Sequence, residues 1–180
     1  ENELAGGAAV TGGLKPFGQE ALRELERCDI VADVSHLNDE GFADLCKVAT
    51  KPFIATHSNS RAVWNNSRNL TDDMFRAIVQ TGGVAGYNVC AEFTGEKPTL
   101  DTMCDHILHF MELDPSGKHI ALGGDLDGIT EMPAGFEGVQ SWPALARRLL
   151  ERGLDEGTVG NIFWNNAIGV MECAVCDHAK

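Results

Sequence analysis

The chain has 180 residues, 43% of them hydrophobic, enough for one domain with a buried core. Acidic residues outnumber basic ones 27 to 14, for a net charge of −13. That balance suits a solvated surface and argues against nucleic acid as a partner, because phosphate backbones would be repelled.

The opening Glu1-Asn2-Glu3-Leu4 shows no charged and apolar signal pattern, so the start is expected to be internal or processed. No apolar run nears the length of a membrane span, and no apolar tail at the C-terminus supports a lipid anchor. Glycines through Gly13 predict a flexible loop, and without GK[ST] that loop is no phosphate cradle. A helix follows at about 16–27, with Ala21, Leu22 and Leu25 at helical spacing.

Strands and helices then alternate. A strand at about 29–34 leads to a helix at 39–49, capped by Asn38. A strand at about 52–56 leads through a long polar loop to a helix at 72–81, which Gly82-Gly83 ends. A strand at 84–88 precedes a helix at 100–113, and a strand at 119–123 precedes a helix at 143–152. Helices at about 155–162 and 165–175 finish the chain. Such alternation predicts a parallel α/β sheet. Four βα units fall short of the eight in a complete (β/α)8 barrel, and polar clusters follow every strand. The expected architecture is one partial domain over residues 1–180, the C-terminal half of a TIM barrel.

In such barrels functional groups project from the strand C-terminal ends. The four ends here present His36, His57, Asn88 and Asp125, and Asn88 is expected to contact substrate. A lone histidine would read as an ordinary loop or core residue. Two in equivalent places suggest a shared metal, for which neutral imidazole is a common ligand. Arg68, in the polar loop after His57, suits bidentate recognition of a carboxylate. Asp125 and Asp127 lie between glycines, and strand alternation would put both on one face. Asp125 is the preferred functional carboxylate, able to take a proton or meet a substrate ammonium; Asp127 also fits plain turn chemistry. His106 and His109, at i and i+3 on a helix, and His119, at a strand start, read as structural.

Cys28, Cys46 and Cys104 fall in apolar helical patterns and are expected as small core residues. The lone Cys173-Ala174-Val175-Cys176, even with His178 nearby, lacks the second ligand pair of a structural zinc site. Cysteine usage favours a reducing, cytoplasmic setting.

Together, Gly18-Gln19-Glu20, Asp33-Val34-Ser35-His36-Leu37, Thr56-His57-Ser58-Asn59-Ser60, Ser67-Arg68-Asn69-Leu70-Thr71-Asp72, Gly123-Gly124-Asp125-Leu126-Asp127-Gly128 and Asn166 resemble the membrane (renal) dipeptidase family of zinc metallopeptidases. The resemblance implies a (β/α)8 barrel holding two zinc ions, bridged by a glutamate and a water or hydroxide that attacks the peptide bond of a dipeptide. It implies that His36 and His57 bind one zinc, that Arg68 holds the substrate carboxylate, and that Asp125 lies by the bridging hydroxide. The family's His-x-Asp pair and bridging glutamate would lie before residue 1, so little or no activity is expected of this chain alone. Gly86-Tyr87-Asn88-Val89-Cys90 departs from the family's usual Asn-Phe-Tyr after that strand. A homodimer of the intact enzyme stays open. The alternatives are another metal-dependent barrel hydrolase, acting on cyclic amides or esters, and a noncatalytic interaction module derived from an enzyme.

Overall fold

The computed structural model describes residues 11–176. Helix α1 (Pro16–Arg27) begins on a proline, whose fixed φ suits a first helical turn. Near its end Glu26 is buried. Its carboxylate accepts bonds from the Thr50 N–H (2.8 Å), the Thr50 hydroxyl (2.7 Å) and the Lys51 N–H (3.0 Å). Burial pushes its pKa up, but these three bonds outweigh burial and hold it below the ordinary carboxylate range. Through them α1 is pinned to the turn that opens the second strand segment.

Helix α2 (Asp39–Val48) is capped by Asn38, whose side chain accepts the Gly41 N–H at 2.8 Å. Helix α3 (Asp72–Thr81) is capped by Thr71 and closed by Gly82 at φ 84°, where only glycine is unstrained. After it come β1 (Ala85–Asn88), the single turn α4 (Ala91–Thr94), α5 (Leu100–Leu113) and β2 (Ile120–Gly124). A 3₁₀ turn (Val139–Ser141) leads into α6 (Trp142–Glu151). Helix α7 (Glu156–Gly160), a π-helical turn (Asn161–Asn165) and α8 (Asn166–Cys176) run on almost without break.

Strands β1 and β2 pair in parallel, Ala85 opposite Ile120 and Tyr87 opposite Leu122, with a register shift before Asn88. The two earlier expected strands shrink to parallel bridges, Asp33 with Ile54 and Ala55 with Ala85. Val34 N–H donates to Ile54 O (2.8 Å) and Ile54 N–H to Ala32 O (2.9 Å). On the other side Gly86 N–H donates to Ala55 O (2.7 Å). Four parallel segments therefore stand side by side in chain order, but only two are regular strands. The first is cut short because Asp29 (φ 54°) and His36 (φ 78°) leave extended backbone at either end.

Side chains alternate across this sheet. Val34, Phe53, Ala55, Ala85, Tyr87 and Ile120 join the main core with Phe42, Phe75, Ile107 and Leu145 from the helices. Ile54, Val84 and Ala121 form a second cluster, packed against Val31 and against Ala167 and Val170 of α8. Both faces are thus covered. Asn166 ties α8 down, donating to the carbonyls of Gly117 and Ile120 at 2.7 Å each. Between α5 and α6, Arg148 makes a bidentate pair with Asp101 (2.7 Å on both arms). Both side chains are partly solvated, so water screens the pair.

Three sequence expectations need correction. Cys28 and Cys46 are exposed, since Cys28 lies just past the end of α1 and Cys46 falls on the outer face of α2, whereas Cys104 is buried. Asp125 and Asp127 do not share a strand face: β2 ends at Gly124, Asp125 adopts φ 67°, and Gly128 N–H folds back to Asp125 O at 3.0 Å. The Cys176 side chain, His178 and residues 1–10 lie outside the described part.

His106 and His119 are structural. His119 donates from Nδ1 to Gly83 O (2.8 Å). His106 is completely buried, accepting the Ser60 N–H at Nδ1 (3.1 Å) and donating from Nε2 to Thr94 O (2.9 Å). Accepting the Ser60 N–H at Nδ1 requires the neutral ring, and burial holds its pKa below the ordinary histidine value, against the opposing pull of the Thr94 bond. In the unfolded chain it titrates near pH 6.5. Its contribution is therefore complete above about pH 6.5 and is lost as pH falls from there towards the lower folded value. Urea unfolding at pH 7.5 and pH 5.5 should show wild type losing stability over that interval. His106→Gln should be less stable at pH 7.5 and should lose less on acidification.

Candidate active site

The polar rim is assembled where the parallel segments end. Thr56 ends the second segment, and its carbonyl lies against two glycines on neighbouring strands. A Cβ on Gly86 would stand 2.1 Å from Thr56 O, and one on Gly123 only 1.8 Å from it. With no side chains there, the three segments close up at this level. Residues 57, 88 and 125, just beyond, are thereby drawn together.

His36 and His57 meet at the rim, with Nε2 atoms 2.9 Å apart and rings in an edge arrangement, 5.0 Å between centroids. On the His57 side, Nδ1 lies 2.7 Å from the Thr56 hydroxyl, which lies 2.5 Å from Asp33 Oδ2. Asp33 Oδ1 accepts the N–H groups of Ser35 (3.0 Å) and Thr56 (2.9 Å). The Ser35 hydroxyl accepts the His57 N–H at 3.0 Å, tying the first two segments together again.

Asn88 is wholly buried. Its Nδ2 reaches Asp125 Oδ2 (3.1 Å) and His57 O (3.4 Å), and its Oδ1 accepts the Cys90 N–H (2.7 Å). It therefore links the histidine segment to the carboxylate. Asn59, also buried, supports Asn88 from behind: its Oδ1 accepts the Asn88 N–H (2.8 Å) and its Nδ2 donates to Asn88 O (2.9 Å). Asn59, Thr56 and Asp33 therefore belong to the site as well, and no local pattern marks them, although all three lie within the motifs around His36 and His57.

Arg68 joins the group from the polar loop. Its guanidinium lies over Phe93, 5.2 Å from the ring centroid, and its buried Nη2 has no hydrogen-bond partner among the described residues. Burial lowers its pKa, while the carboxylates of Asp125 and Asp33 pull the other way. The His36 pKa is also lowered, by partial burial first and then by the charges of Arg68 and His57, against the opposing pull of Asp125 and Asp33. His36, His57, Arg68 and Asp125 thus share one electrostatic neighbourhood. Beside Asp125 an open cleft of about 400 Å³ is lined by Leu122, Leu126, Trp142 and Phe163.

Two imidazole nitrogens aimed at one point suit a borderline metal such as zinc. Two ligands at about 2.0–2.1 Å on a tetrahedral ion stand roughly 3.3 Å apart, so the pair need open by only a few tenths of an ångström. They fit as part of a ligand set. Among the described residues no group of three or more His, Cys, Asp or Glu completes one, and no helix is long and apolar enough to cross a membrane.

The structure thus presents a parallel α/β fold with a histidine pair and a carboxylate at the segment ends and a guanidinium from the loop beside them. The chain belongs to the membrane dipeptidase family (peptidase family M19), which it matches over residues 2–178. It is 35% identical over 173 residues to an uncharacterized dipeptidase of Schizosaccharomyces pombe, covering 92% of this chain and 42% of that protein. A protein of Klebsiella pneumoniae, described as lying in the pqqA 5′ region, is 35% identical over 173 residues, with 92% and 63% covered. A metallo peptidase of Rhodobacter sphaeroides, solved with a phosphinate mimic of the dipeptide L-Ala-D-Ala, superposes with a TM-score of 0.86 at 31% identity, covering 93% of this chain and 49% of that one. The α/β fold therefore resembles that of the M19 dipeptidases. The chain spans roughly half the length of the relatives it matches.

The glycine contacts make a sharp prediction. Gly123→Ala places a methyl group on the Thr56 carbonyl and 3.0 Å from His57 Cα, both backbone atoms that cannot swing aside. It should cost about 1–3 kcal/mol, as overpacking does. Gly160→Ala, with nothing within 4 Å, should be neutral or stabilise by up to about 1 kcal/mol. Thermal melts of the two variants check the contrast.

Proposed function

We infer that this chain carries part of the active site of a zinc-dependent dipeptidase. The observation that carries the reading is the meeting of His36, His57, Arg68 and Asp125 at one rim, in a chain that belongs to the M19 family. Relatives described as a dipeptidase, and as a metallo peptidase bound to a dipeptide mimic, support the substrate class.

His36 and His57 hold one metal through Nε2. When bound, zinc supplies Lewis acidity towards water and the scissile carbonyl. Arg68 offers its unpartnered, buried N–H groups to the substrate's terminal carboxylate. A bidentate pair at this half-buried guanidinium gives both affinity and placement. Asp125 exchanges a proton near the cleaved bond or receives the substrate's ammonium group. Asn88, expected from its strand end to contact substrate, acts instead by fixing Asp125 Oδ2, because its amide is already engaged on both atoms. The cleft beside Asp125 leaves room for a small apolar side chain.

We further read the fold as the C-terminal half of a (β/α)8 barrel. The segment at Asp33 and strand β2 have no further strand neighbour among the described residues. The terminal helices expose Trp164, Ile168 and Met171 at helical spacing, an apolar stripe that suits burial. The second metal of the pair and its ligands come, on this reading, from residues outside those described.

Hydrolysis of a dipeptide panel tests the reading. It is measured on the chain alone and on the chain fused behind the missing barrel strands of a family relative. The chain alone should turn over slowly or not at all, and the fusion should cleave dipeptides. In the fusion Arg68→Ala should raise KM for a dipeptide at least tenfold and leave C-terminally amidated dipeptides nearly unaffected. A fusion that cleaves cyclic amides but no dipeptide would overturn the substrate class, and a full rate from the chain alone would overturn the half-barrel.

A further inference from the structure

The two histidines are built differently. The Thr56 hydroxyl has one proton and two close neighbours, Asp33 Oδ2 at 2.5 Å and His57 Nδ1 at 2.7 Å. An ionised carboxylate only accepts hydrogen bonds. Asp33 is used as an acceptor throughout, since its other oxygen receives the backbone N–H groups of Ser35 and Thr56. The hydroxyl proton therefore points to Asp33. The same oxygen must then accept from His57, so His57 carries its proton on Nδ1 and its Nε2 presents a bare lone pair to the rim. His36 has no such support, for its Nδ1 meets no partner among the described residues, and without metal its Nε2 donates to His57 Nε2 at 2.9 Å.

We propose that Asp33 and Thr56 are positioning residues for the metal site: they lock His57 in the tautomer that ligates through Nε2, so His57 is the preset ligand and His36 adjusts to it. This rests on the metal reading of the preceding subsection. The chemistry is an outer-shell relay, in which a carboxylate orients a hydroxyl and the hydroxyl orients the imidazole. Such partners fix ring orientation as well as protonation, and losing them typically lowers metal affinity about ten- to a hundredfold. Thr56 suits the task because its backbone is already fixed by the neighbouring segments, its N–H on Asp33 Oδ1 and its carbonyl against Gly86 and Gly123.

The test reads tautomers first. Long-range ¹H–¹⁵N correlation spectra of the metal-free full chain should show His57 with a protonated, pyrrole-like Nδ1 and a pyridine-like Nε2. In Thr56→Val, close in shape but without the hydroxyl, the Nε2–H form should rise. Thr56→Ser should restore the wild-type pattern. Zinc affinity of the fusion described above, by chelator competition, should fall at least tenfold in Thr56→Val, stay within about threefold in Thr56→Ser, and fall in Asp33→Asn, which keeps the hydroxyl but removes the anionic acceptor. A wild-type His57 protonated at Nε2, or a Thr56→Val fusion that binds zinc as tightly as wild type, overturns the relay while leaving the dipeptidase reading standing. A wild-type fusion with the expected tautomer but no affinity for zinc overturns the metal reading and the positioning role with it. Should Thr56→Val melt at working temperature, the wild-type tautomer and Asp33→Asn still decide.

Discussion

The site depends on one steric fact, the close approach of three parallel segments at the Thr56 carbonyl. Gly86 and Gly123 leave room for that oxygen, and any side chain at either position would push the strands apart. Because the approach is set by backbone against backbone, it cannot be relieved by a rotamer change. The residues one or two positions further along, His57, Asn88 and Asp125, inherit that closeness. Polar groups from three distant stretches of sequence come within hydrogen-bonding distance because the layer beneath them has no side chains.

Above that layer the order is kept by buried amides. Asn59 and Asn88 are wholly buried; Asn59 bonds the backbone N–H and carbonyl of Asn88, and Asn88 reaches the carbonyl of His57 and the N–H of Cys90. An unsatisfied buried amide costs roughly 1–3 kcal/mol, so a displaced segment would be penalised more than once. His106 extends the same logic beneath the loop, joining Ser60 to Thr94 through a neutral ring. Tyr87 meets Thr94 from the other side at 2.8 Å. The rim is stiff because the groups under it have no solvent to turn to.

Much of this was legible in the sequence. Helix boundaries followed from caps that act locally: Asn38, Thr71 and Gly82 do what their chemistry suggests. The segment order and the meeting of His36 with His57 followed from βα alternation. Legibility stopped where tertiary geometry overrode local pattern. Two apolar runs that read as strands make only single bridges on either side, and left-handed residues truncate the first of them. The alternation invoked for Asp125 and Asp127 failed because Gly124 ends the strand one residue too early. Asn88 was read from its place at a strand end, but burial turned it inward, a fact about neighbours that no single stretch of sequence states. Thr56 and Asp33 were quoted only as motif letters, because a relay through a hydroxyl needs distances to be seen.

The backbone at the rim carries its own argument. Two of the three described non-glycine residues with positive φ are His36 (78°) and Asp125 (67°), both at the site. Such conformations are uncommon for side-chain-bearing residues and cost of order 1–3 kcal/mol where nothing compensates. Asp tolerates the region better than most, and Gly124 before it, at φ 81°, adds a second left-handed step without strain. At both positions the turn does what continued strand could not. It turns the chain out of the strand direction where His57 and Asn88 lie close by. A glycine would adopt these angles more cheaply, but it would supply neither imidazole nor carboxylate. Strained angles held at two positions of the proposed site are what selection for placement, rather than for stability alone, would leave in a fold.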